Sequence, residues 1–148
     1  IKFKNLYPQI EKIILMFQKE VADRILAKPN NKNYSRITIL TNLKLDIDYN
    51  FNVSKESFFP KPKIDSKVVV FKPKNKIKYK IKNINNLEKI TQIFFSGKRK
   101  MINKPFSKIF KNYEEVATSL NIDLKKRPSE LSYENYYQIT EKYEKIIS

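Results

Sequence analysis

The spacing of hydrophobic residues changes about halfway along the chain, from short strand-like runs to helical periodicity. Residues 11–17 form a short apolar run, which predicts a strand buried on both faces of an α/β sheet. Residues 45–53 alternate strictly, which predicts a strand with its odd-numbered side chains on one face. Residues 65–71 are rich in β-branched side chains and predict a further strand.

Between these strands the pattern is helical. Residues 18–28 carry apolar side chains on one face and end before Pro29, and residues 34–44 predict a second helix. The first half of the chain is therefore predicted to be part of an α/β sheet. Its last two strands are expected to form an antiparallel end to a mostly parallel sheet.

The second half predicts a small all-helical domain. Apolar residues recur at helical spacing at Leu87, Ile90, Ile93 and Phe94. Pro105 lies where another helix can begin, residues 113–120 predict a short helix, and Ser132 is placed to cap a final one. The inner face of that helix is predicted to consist of Tyr133, Tyr136, Tyr137, Thr140, Tyr143 and Ile147. Its tyrosines are expected in the core rather than in a functional site.

These patterns divide the chain into residues 1–73, a basic linker at 74–83, and a helical domain at 84–148. Lysines alternate with other residues along the linker. Two interpretations stay open for it: a solvated connection, or a nonspecific contact with phosphate.

Composition excludes several kinds of chemistry. The sequence has no Cys and no His, which excludes Cys nucleophiles, Ser-His-Asp triads and zinc sites built on these residues. Its one glycine, Gly97, lies in a basic stretch, so no glycine-rich phosphate loop can form. No metal site is expected.

The net charge of +16, from 31 Lys and Arg against 15 Asp and Glu, favours a polyanionic partner. The abundance of Lys, Asn and Ile also fits an AT-rich genome, so a purely structural module with a drifted composition is an alternative. No apolar run approaches the roughly 20 residues of a membrane span, and we expect a cytoplasmic protein. The chain begins at Ile1 without an initiator Met, and we expect it to be a fragment.

Residues 58–66 read F-F-P-K-P-K-I-D-S. Pro60 and Pro62 each fix φ at about −65° and bias the preceding residue toward extended backbone, which predicts a stiff, non-helical segment. Such a segment can hold an aromatic ring at a fixed place beside the charges of Lys61 and Lys63, an arrangement suited to a base and its phosphate. The alternative is that Phe58 closes the edge of a hydrophobic core.

This segment resembles the F-x-P-x-P-K-V-D-S motif of the rRNA adenine N6-methyltransferases, with Ile64 in place of Val. The family includes the small-subunit rRNA dimethyladenosine transferases and the erythromycin-resistance methylases. The resemblance implies that Phe58 stacks on the flipped-out target adenine and that Pro60 and Pro62 form the scaffold of the motif. Phe59 occupies its variable position.

Two further segments resemble the family in the same order. Residues 18–24, Q-K-E-V-A-D-R, resemble the Q-K-E-V-A-x-R that follows a central strand. Residues 95–102, F-S-G-K-R-K-M-I, resemble the F-x-x-R-R-K-x-L at the start of the helical domain, and residues 121–132 resemble a later segment of it. The predicted RNA-binding residues are Lys61, Lys63, Lys98, Arg99 and Lys100. For the last three, a solvated charge run is the alternative, and Lys98 in place of Arg loses a bidentate donor.

The resemblance implies the C-terminal part of a Rossmann-like methyltransferase sheet followed by a small helical rRNA-binding domain. The intact enzyme would use S-adenosylmethionine to dimethylate N6 of two adjacent adenosines in a hairpin of small-subunit rRNA, acting on the immature small ribosomal subunit, without metal or membrane. The family's glycine-rich cofactor loop and its N-L-P-Y tetrapeptide lie upstream and are absent from this sequence. This chain alone is therefore expected neither to bind S-adenosylmethionine nor to methylate.

Two other functions stay open. One is a large-subunit rRNA adenine methylase of the resistance type, which often carries Asn where Asp65 stands. The other is a non-catalytic nucleic-acid-binding protein on the same scaffold. The I-D-S ending of the motif and the long match in the helical domain favour the small-subunit branch.

Overall fold

The computed structural model describes residues 10–147 of the chain. These residues contain three strands and six α-helices. The strands are β1 (Ile13–Gln18), β2 (Leu45–Val53) and β3 (Ser66–Pro73). The α-helices are α1 (Lys19–Ile25), α2 (Arg36–Lys44), α3 (Ile84–Phe95), α4 (Asn103–Ile109), α5 (Tyr113–Ser119) and α6 (Tyr133–Ile147). Short 3₁₀ helices span Lys55–Ser57 and Pro128–Glu130. The predicted order, an α/β part followed by an all-helical part, is confirmed.

The sheet has the strand order β1-β3-β2, so β3 lies in its centre. Both pairings are antiparallel. The central position fits the composition of β3, because β-branched and aromatic side chains such as Val69 and Phe71 pack well inside a sheet, and both are buried. The antiparallel pairing predicted for the last two strands is confirmed.

β2 changes the direction of its side chains at a β-bulge. Ile47 pairs with Phe71, whereas Tyr49 pairs with Val70, so Asp48 has no partner residue in β3. An extra residue reverses the alternation, because successive side chains of a strand point to opposite faces. The prediction that all odd-numbered residues of β2 share one face is therefore wrong. Those before the bulge face α1, and those after it lie on the opposite face.

Only one face of the sheet packs against α1. On that face Leu15 and Phe17 of β1 lie against the buried Ala22 and neighbouring apolar residues. On the other face Ile14 is 66% exposed and Met16 is 54% exposed. The prediction that β1 is buried on both faces is thus wrong for the described residues, because α1 covers a single side of the strand.

A second core, formed by α2 to α6, is built around aromatic rings. Phe94 of α3 meets Phe106 of α4 and Tyr136 of α6 edge to face, with ring centroids 5.5 and 5.4 Å apart. All three rings are buried, and such pairs contribute about 0.5–1.5 kcal/mol each beyond the area they bury. The core role predicted for the tyrosines of α6 is confirmed for Tyr136 and Tyr137. Ile147 is 56% exposed, so its assignment to the inner face is wrong, because it ends the last turn of α6 beyond the core.

Helix α2 belongs to this helical core although it precedes two strands. Its Ile39 and Leu43 are buried among the helical residues. The Tyr137 hydroxyl donates a 2.7 Å hydrogen bond to the Ile39 carbonyl, which joins α6 to α2. The core therefore spans the boundary predicted at 73, and the predicted domain limits stay a prediction.

The segment at 74–83 lies along α6. The Tyr79 ring contacts that of Tyr137, with centroids 5.2 Å apart. The Lys80 backbone N–H donates to Glu141 at 2.6 Å, and the Lys82 backbone N–H donates to Glu144 at 2.7 Å. This segment is thus a packed strap rather than a wholly solvated connection. Lys76, Lys78, Lys80 and Lys82 are exposed, whereas Lys74 is half-buried and donates a 2.7 Å hydrogen bond to the Asn42 carbonyl.

Helix ends differ slightly from the predicted ones. α1 ends at Ile25, three residues before the predicted end at Lys28, and α4 begins two residues before Pro105. Ser132 caps α6 as predicted, since its Oγ accepts a 3.2 Å hydrogen bond from the Asn135 N–H. Within residues 10–147 no helix combines the length and the apolar character needed to cross a membrane.

Candidate nucleic-acid interface

The motif loop, residues 54–65, connects β2 to β3. It opens with a short 3₁₀ turn, in which the Ser54 Oγ accepts a 3.2 Å hydrogen bond from the Glu56 N–H. Phe58 follows in extended backbone with φ −120° and ψ 146°. The loop bends at residues 58–60 and forms no helix beyond Ser57, which confirms the non-helical character predicted from the prolines. The Phe59–Pro60 peptide bond is cis.

Asp65 holds both ends of the motif loop and links it to α1. Its carboxylate Oδ1 accepts a 2.9 Å hydrogen bond from the Lys55 backbone N–H, across the base of the loop. Its carbonyl accepts a 3.0 Å hydrogen bond from the Lys19 backbone N–H, at the first residue of α1. The first turn of a helix has free N–H groups, and Asp65 satisfies one of them. The Asp of the motif therefore has a positioning role that is visible in the backbone contacts.

The two phenylalanines of the motif differ in their surroundings. Phe59 is completely exposed. Phe58 is half-buried and lies outside both clusters of buried core residues. Among the described residues, neither core cluster includes Phe58, so the interpretation that it closes the edge of a core gains no support from them. Pro62 is half-buried and Pro60 is exposed, and their role as the scaffold of the motif stays a prediction. The stacking role of Phe58 stays a prediction.

The lysines of the motif loop are not equivalent. Lys61 forms an ion pair with Glu56 across the loop. Lys63 is exposed and makes no ion pair with any residue between 10 and 147. Since an exposed pair contributes about 0–1 kcal/mol, a phosphate can displace Glu56 from Lys61 at small cost. Both lysines can therefore meet an anion, and Lys63 does so without breaking a contact.

The Q-K-E-V-A-D-R segment lies beside the motif loop, as β1 runs directly into α1. Gln18 is opposite Ser66 in the sheet, one residue after the motif loop. Asp23 accepts from the ammonium groups of Lys19 and Lys67, each at 2.7 Å. Hydrogen bonds from these two lysines hold the pKa of Asp23 below its ordinary value. The carboxylate thus ties α1 to β3 next to the loop.

The three cations of the predicted triad at 98–100 have different surroundings. The Lys98 ammonium donates a 2.6 Å hydrogen bond to the Lys32 carbonyl, and the side chain is half-buried. Burial, with a smaller contribution from the charge of Arg24, lowers the pKa of Lys98 below its ordinary value. Arg99 and Lys100 are exposed. Lys98 therefore has a structural contact of its own, while the other two side chains are open to a ligand.

The described residues do not fit S-adenosylmethionine. Gly97 connects α3 to α4, far along the chain from the strand ends, and a Cβ built on it would meet only the Lys100 side chain, at 3.7 Å. It therefore does not mark a close approach of backbone to a ligand. Among residues 10–147 no group of three or more Asp or Glu side chains is arranged to hold a metal ion.

Sequence reasoning missed the clamp made by Asp65 and the contact made by Lys98. The clamp depends on the separation of residues 55 and 65 in space, which the sequence does not display. The contact of Lys98 depends on the loop at 30–33, which packs against the helical part. The nearest signal in the sequence was the N-N-K-N run at those positions, which marks a loop but gives no partner.

Comparisons with known proteins agree with this architecture. The family model described as "Ribosomal RNA adenine dimethylase" matches residues 2–145. A ribosomal RNA small subunit methyltransferase A from Pelagibacter ubique is 46% identical over 136 residues, which is 92% of this chain and 52% of the relative. The corresponding protein of Ehrlichia ruminantium is 40% identical over 139 residues, 94% of this chain and 53% of that relative. The chain thus spans about half the length of the curated relatives it matches.

Solved structures show the same fold. A dimethyladenosine transferase from Plasmodium falciparum matches 97% of this chain and 61% of its own chain, with a TM-score of 0.74 and 27% identity. The 23S rRNA methyltransferase ErmE matches 93% of this chain and 56% of its own, with a TM-score of 0.60 and 18% identity, a likeness of fold alone. Taken with the family match over residues 2–145, these findings show that the chain belongs to the ribosomal RNA adenine dimethylase family.

Proposed function

We propose that this chain is the target-recognition part of an S-adenosylmethionine-dependent methyltransferase that dimethylates N6 of two adjacent adenosines in a hairpin of small-subunit rRNA. Its partner is the immature small ribosomal subunit, and a cytoplasmic location follows from that partner. The proposal is supported by the family match and by the relatives described above, which are named as small-subunit rRNA methyltransferases and are 46% and 40% identical to this chain. Those names favour the small-subunit branch over the large-subunit resistance enzymes.

The observation that carries the proposal is the half-buried Phe58 on a clamped loop beside α1. An adenine amine is conjugated to its ring and is a poor nucleophile, so its base must leave the stack and be held in a fixed orientation. A ring held outside the core can stack on that base, which contributes about 1–3 kcal/mol. Phe58 fits this role because its backbone is fixed between the turn at Lys55–Ser57 and the prolines.

Exposed cations of the motif loop and of the helical part support the binding of the RNA backbone. Lys61 and Lys63 lie on the motif loop itself, and Arg99 and Lys100 are exposed in the helical part. Contacts to phosphate position a nucleic acid without reading its sequence. The choice of adenosine therefore depends on the target-base site, while these side chains contribute affinity and orientation. Lys98 contributes indirectly, through the loop that it holds.

Cofactor binding is proposed to come from sequence elements that this chain does not contain. The family's glycine-rich loop and N-L-P-Y tetrapeptide have no counterpart in the sequence, and the described residues do not fit the cofactor. S-adenosylmethionine supplies the methyl group in the intact enzyme. This chain's own residues orient the base and hold the RNA. Alone, the chain is expected to give no heat of S-adenosylmethionine binding in calorimetry.

A chimera tests this function directly. The chain replaces the matching 136 residues of the Pelagibacter relative, and the chimera is expressed in bacteria that lack their own enzyme. We expect N6,N6-dimethyladenosine to return to small-subunit rRNA, as measured by mass spectrometry of nuclease digests. Phe58→Ala in the chimera should reduce the methylation rate roughly 5- to 150-fold, the equivalent of one lost stacking contact.

Phe59→Ala is the matched control, because the same ring is removed from a completely exposed neighbouring position. Its rate should stay within about twofold of the unmodified chimera. A Phe58→Ala rate within about twofold of the unmodified chimera would reduce Phe58 to a packing residue, and an equal loss in Phe59→Ala would contradict a role specific to Phe58. A folded chimera that binds rRNA but restores no methylation would favour the non-catalytic binding protein instead.

A further inference from the structure

We propose that a pocket between α3 and α4 binds one unpaired nucleotide of RNA, with its flanking phosphates on Lys104 and Lys108. The pocket is lined by Ile93, Ser96, Gly97, Lys100, Met101, Lys104, Pro105 and Lys108. This inference rests on the proposed function, because it assigns part of the RNA to a surface outside the motif loop. Neither of the two lysines belongs to the cationic triad at 98–100.

The charge around this pocket has one sign. Segment 89–113 contains no Asp or Glu. Its cations are Lys89, Lys98, Arg99, Lys100, Lys104, Lys108 and Lys111. A surface with cations and no carboxylates concentrates anions next to it and accelerates their encounter. Three of these cations, Lys100, Lys104 and Lys108, line the pocket itself, and no carboxylate does.

Cations in the sheet part are used differently. Ion pairs there join Lys12–Asp48, Lys19–Asp23, Arg24–Glu20, Lys61–Glu56, Lys67–Asp23, Lys72–Asp48 and Lys74–Asp46. By contrast, none of Lys100, Lys104 and Lys108 forms an ion pair with a residue that the structure describes, and all three are exposed. Their ammonium groups can meet a phosphate without losing an existing partner.

The spacing of the two α4 lysines suits successive phosphates. Lys104 and Lys108 are four residues apart on one helix, so their side chains leave the same face about 6 Å apart along the axis. Successive phosphates of an extended single strand are separated by a similar distance. A phosphate chain that follows α4 can thus engage both ammonium groups in turn.

The apolar residues that line the pocket, Ile93, Met101 and Pro105, suit a base rather than another phosphate. Met101 is 50% exposed although its side chain is apolar, and it lies beside Ile93 and Pro105 at the pocket. The Ser96 hydroxyl donates a 2.8 Å hydrogen bond to the Ile93 carbonyl, so its oxygen can accept from a base N–H. The pocket volume is about 170 Å³, below the roughly 300 Å³ at which sites for whole small molecules begin. One base fits this chemistry better than a whole cofactor.

Unpaired RNA is the partner that combines these features. A base can contact the apolar residues of the pocket only when it is not paired in a duplex. Proteins bind single strands through a row of cations along the phosphates and through apolar or aromatic side chains that contact the bases. An acidic peptide would satisfy the lysines but would leave the exposed Met101 without a matching group. The pocket therefore predicts a preference for single-stranded RNA over both a duplex and an acidic peptide.

Fluorescence anisotropy with the complete 148-residue chain tests this pocket. The probes are a labelled single-stranded RNA, a blunt RNA duplex of equal length, and a polyglutamate of equal charge. We expect the single strand to bind at least tenfold more tightly than either competitor. In the double variant Lys104→Gln/Lys108→Gln, affinity should fall about tenfold or more. The plot of log K against log salt should become shallower, its slope changing by about 1.4 in magnitude, which corresponds to the loss of two phosphate contacts.

The double variant Lys125→Gln/Lys126→Gln is the matched control. It removes the same charge from two exposed lysines of the helical part that do not line the pocket, so it reports the general field of the chain. Met101→Ala is the second test, since it should abolish the preference for single strands while leaving the salt slope unchanged. Circular dichroism melting checks that each variant remains folded.

The outcomes separate this inference from the proposed function. Equal losses in the two double variants, or equal affinity for RNA and polyglutamate, would overturn the pocket while leaving the methylation test of the chimera untouched. If the chimera fails to methylate while the pocket variants behave as expected, the proposed enzymatic function is wrong and the proposed RNA-binding pocket stands. A chain that binds none of the three probes would contradict the RNA contacts as a whole.

Discussion

At the scale of single residues, Asp65 controls the motif loop more directly than its prolines do. Its carboxylate closes the loop through the Lys55 N–H and its carbonyl joins the loop to α1 through the Lys19 N–H. The sequence predicted the non-helical backbone of the segment, because the effect of proline is local, whereas the choice of Phe58 over Phe59 came from the resemblance to the family and stays a prediction. It did not predict the clamp, because hydrogen bonds between residues ten apart depend on the path of the chain.

Asp65→Ala should loosen the motif loop without unfolding the chain. The variant removes one exposed hydrogen bond, so the free energy of unfolding should fall by about 1 kcal/mol or less. Hydrogen exchange at the Lys55 amide, followed by NMR, should become faster. Asp65→Asn is the control, because its Oδ1 still accepts from Lys55 and should preserve the protection. If Asp65→Ala leaves exchange at Lys55 unchanged, the clamp does not hold the loop in solution.

At the scale of elements, hydrophobic periodicity predicted which segments are helices and strands, and it missed what joins them. The bulge at Asp48 is an example. The i, i+2 pattern of β2 is intact in the sequence, yet one unpaired residue turns Tyr49 and Phe51 to the opposite face. The strap at 74–83 is another, since Tyr79 and the backbone of Lys82 contact α6, more than fifty residues later. Neither feature can be read from the local spacing of hydrophobic residues in the sequence.

The strap and α3 both depend on Glu144 of α6. This buried carboxylate accepts from the Lys82 N–H at 2.7 Å, the Asn83 N–H at 2.9 Å and the Asn86 side-chain amide at 2.9 Å. Burial alone would raise the pKa of Glu144, but the bonds from Asn86, Lys82 and Asn83 outweigh it and lower the pKa. Glu144 therefore caps the beginning of α3 from another helix, where a negative charge is also favoured by the helix dipole.

Glu144→Gln should destabilise the helical part. The glutamine amide places a donor where the carboxylate accepted a hydrogen bond, so one part-buried N–H loses its partner. We expect the free energy of unfolding to fall by about 1.5–3 kcal/mol in urea titrations followed by circular dichroism. Glu141→Gln is the control, because Glu141 accepts one exposed bond from Lys80, and its cost should stay below about 1 kcal/mol. Equal costs in the two variants would contradict the capping role.

At the scale of the whole molecule, charge determines how stability responds to pH. The chain has no histidine, so no side chain of ordinary pKa titrates between about pH 5 and 8. Asp23 and Asp48 have pKa values held below the ordinary value, first of all by hydrogen bonds from Lys19 and Lys72 respectively. Together with Glu144, these carboxylates are the charged groups whose protonation weakens the fold.

The sign of the pH effect follows from these lowered pKa values. A carboxylate with a lower pKa in the folded chain stabilises it above the pKa of the unfolded chain, which is 3.8 for Asp and 4.5 for Glu. That stability is lost as the pH falls through the folded pKa. We therefore expect a flat melting temperature from pH 8 to pH 5.5 and a steep decrease below about pH 4.5, measured by circular dichroism.

Self-repulsion should steepen the acid transition. The chain carries a net charge of +16 at pH 7, and protonation of its carboxylates raises that excess further. Added salt screens repulsion between exposed charges, so 0.3 M salt should move the acid midpoint to lower pH. Asp23→Asn removes one of the carboxylates whose pKa is lowered. The difference in melting temperature between this variant and the unmodified chain should therefore be smaller at pH 3 than at pH 7. A melting temperature that already falls between pH 8 and pH 6 would contradict this account, because no histidine is present to cause it.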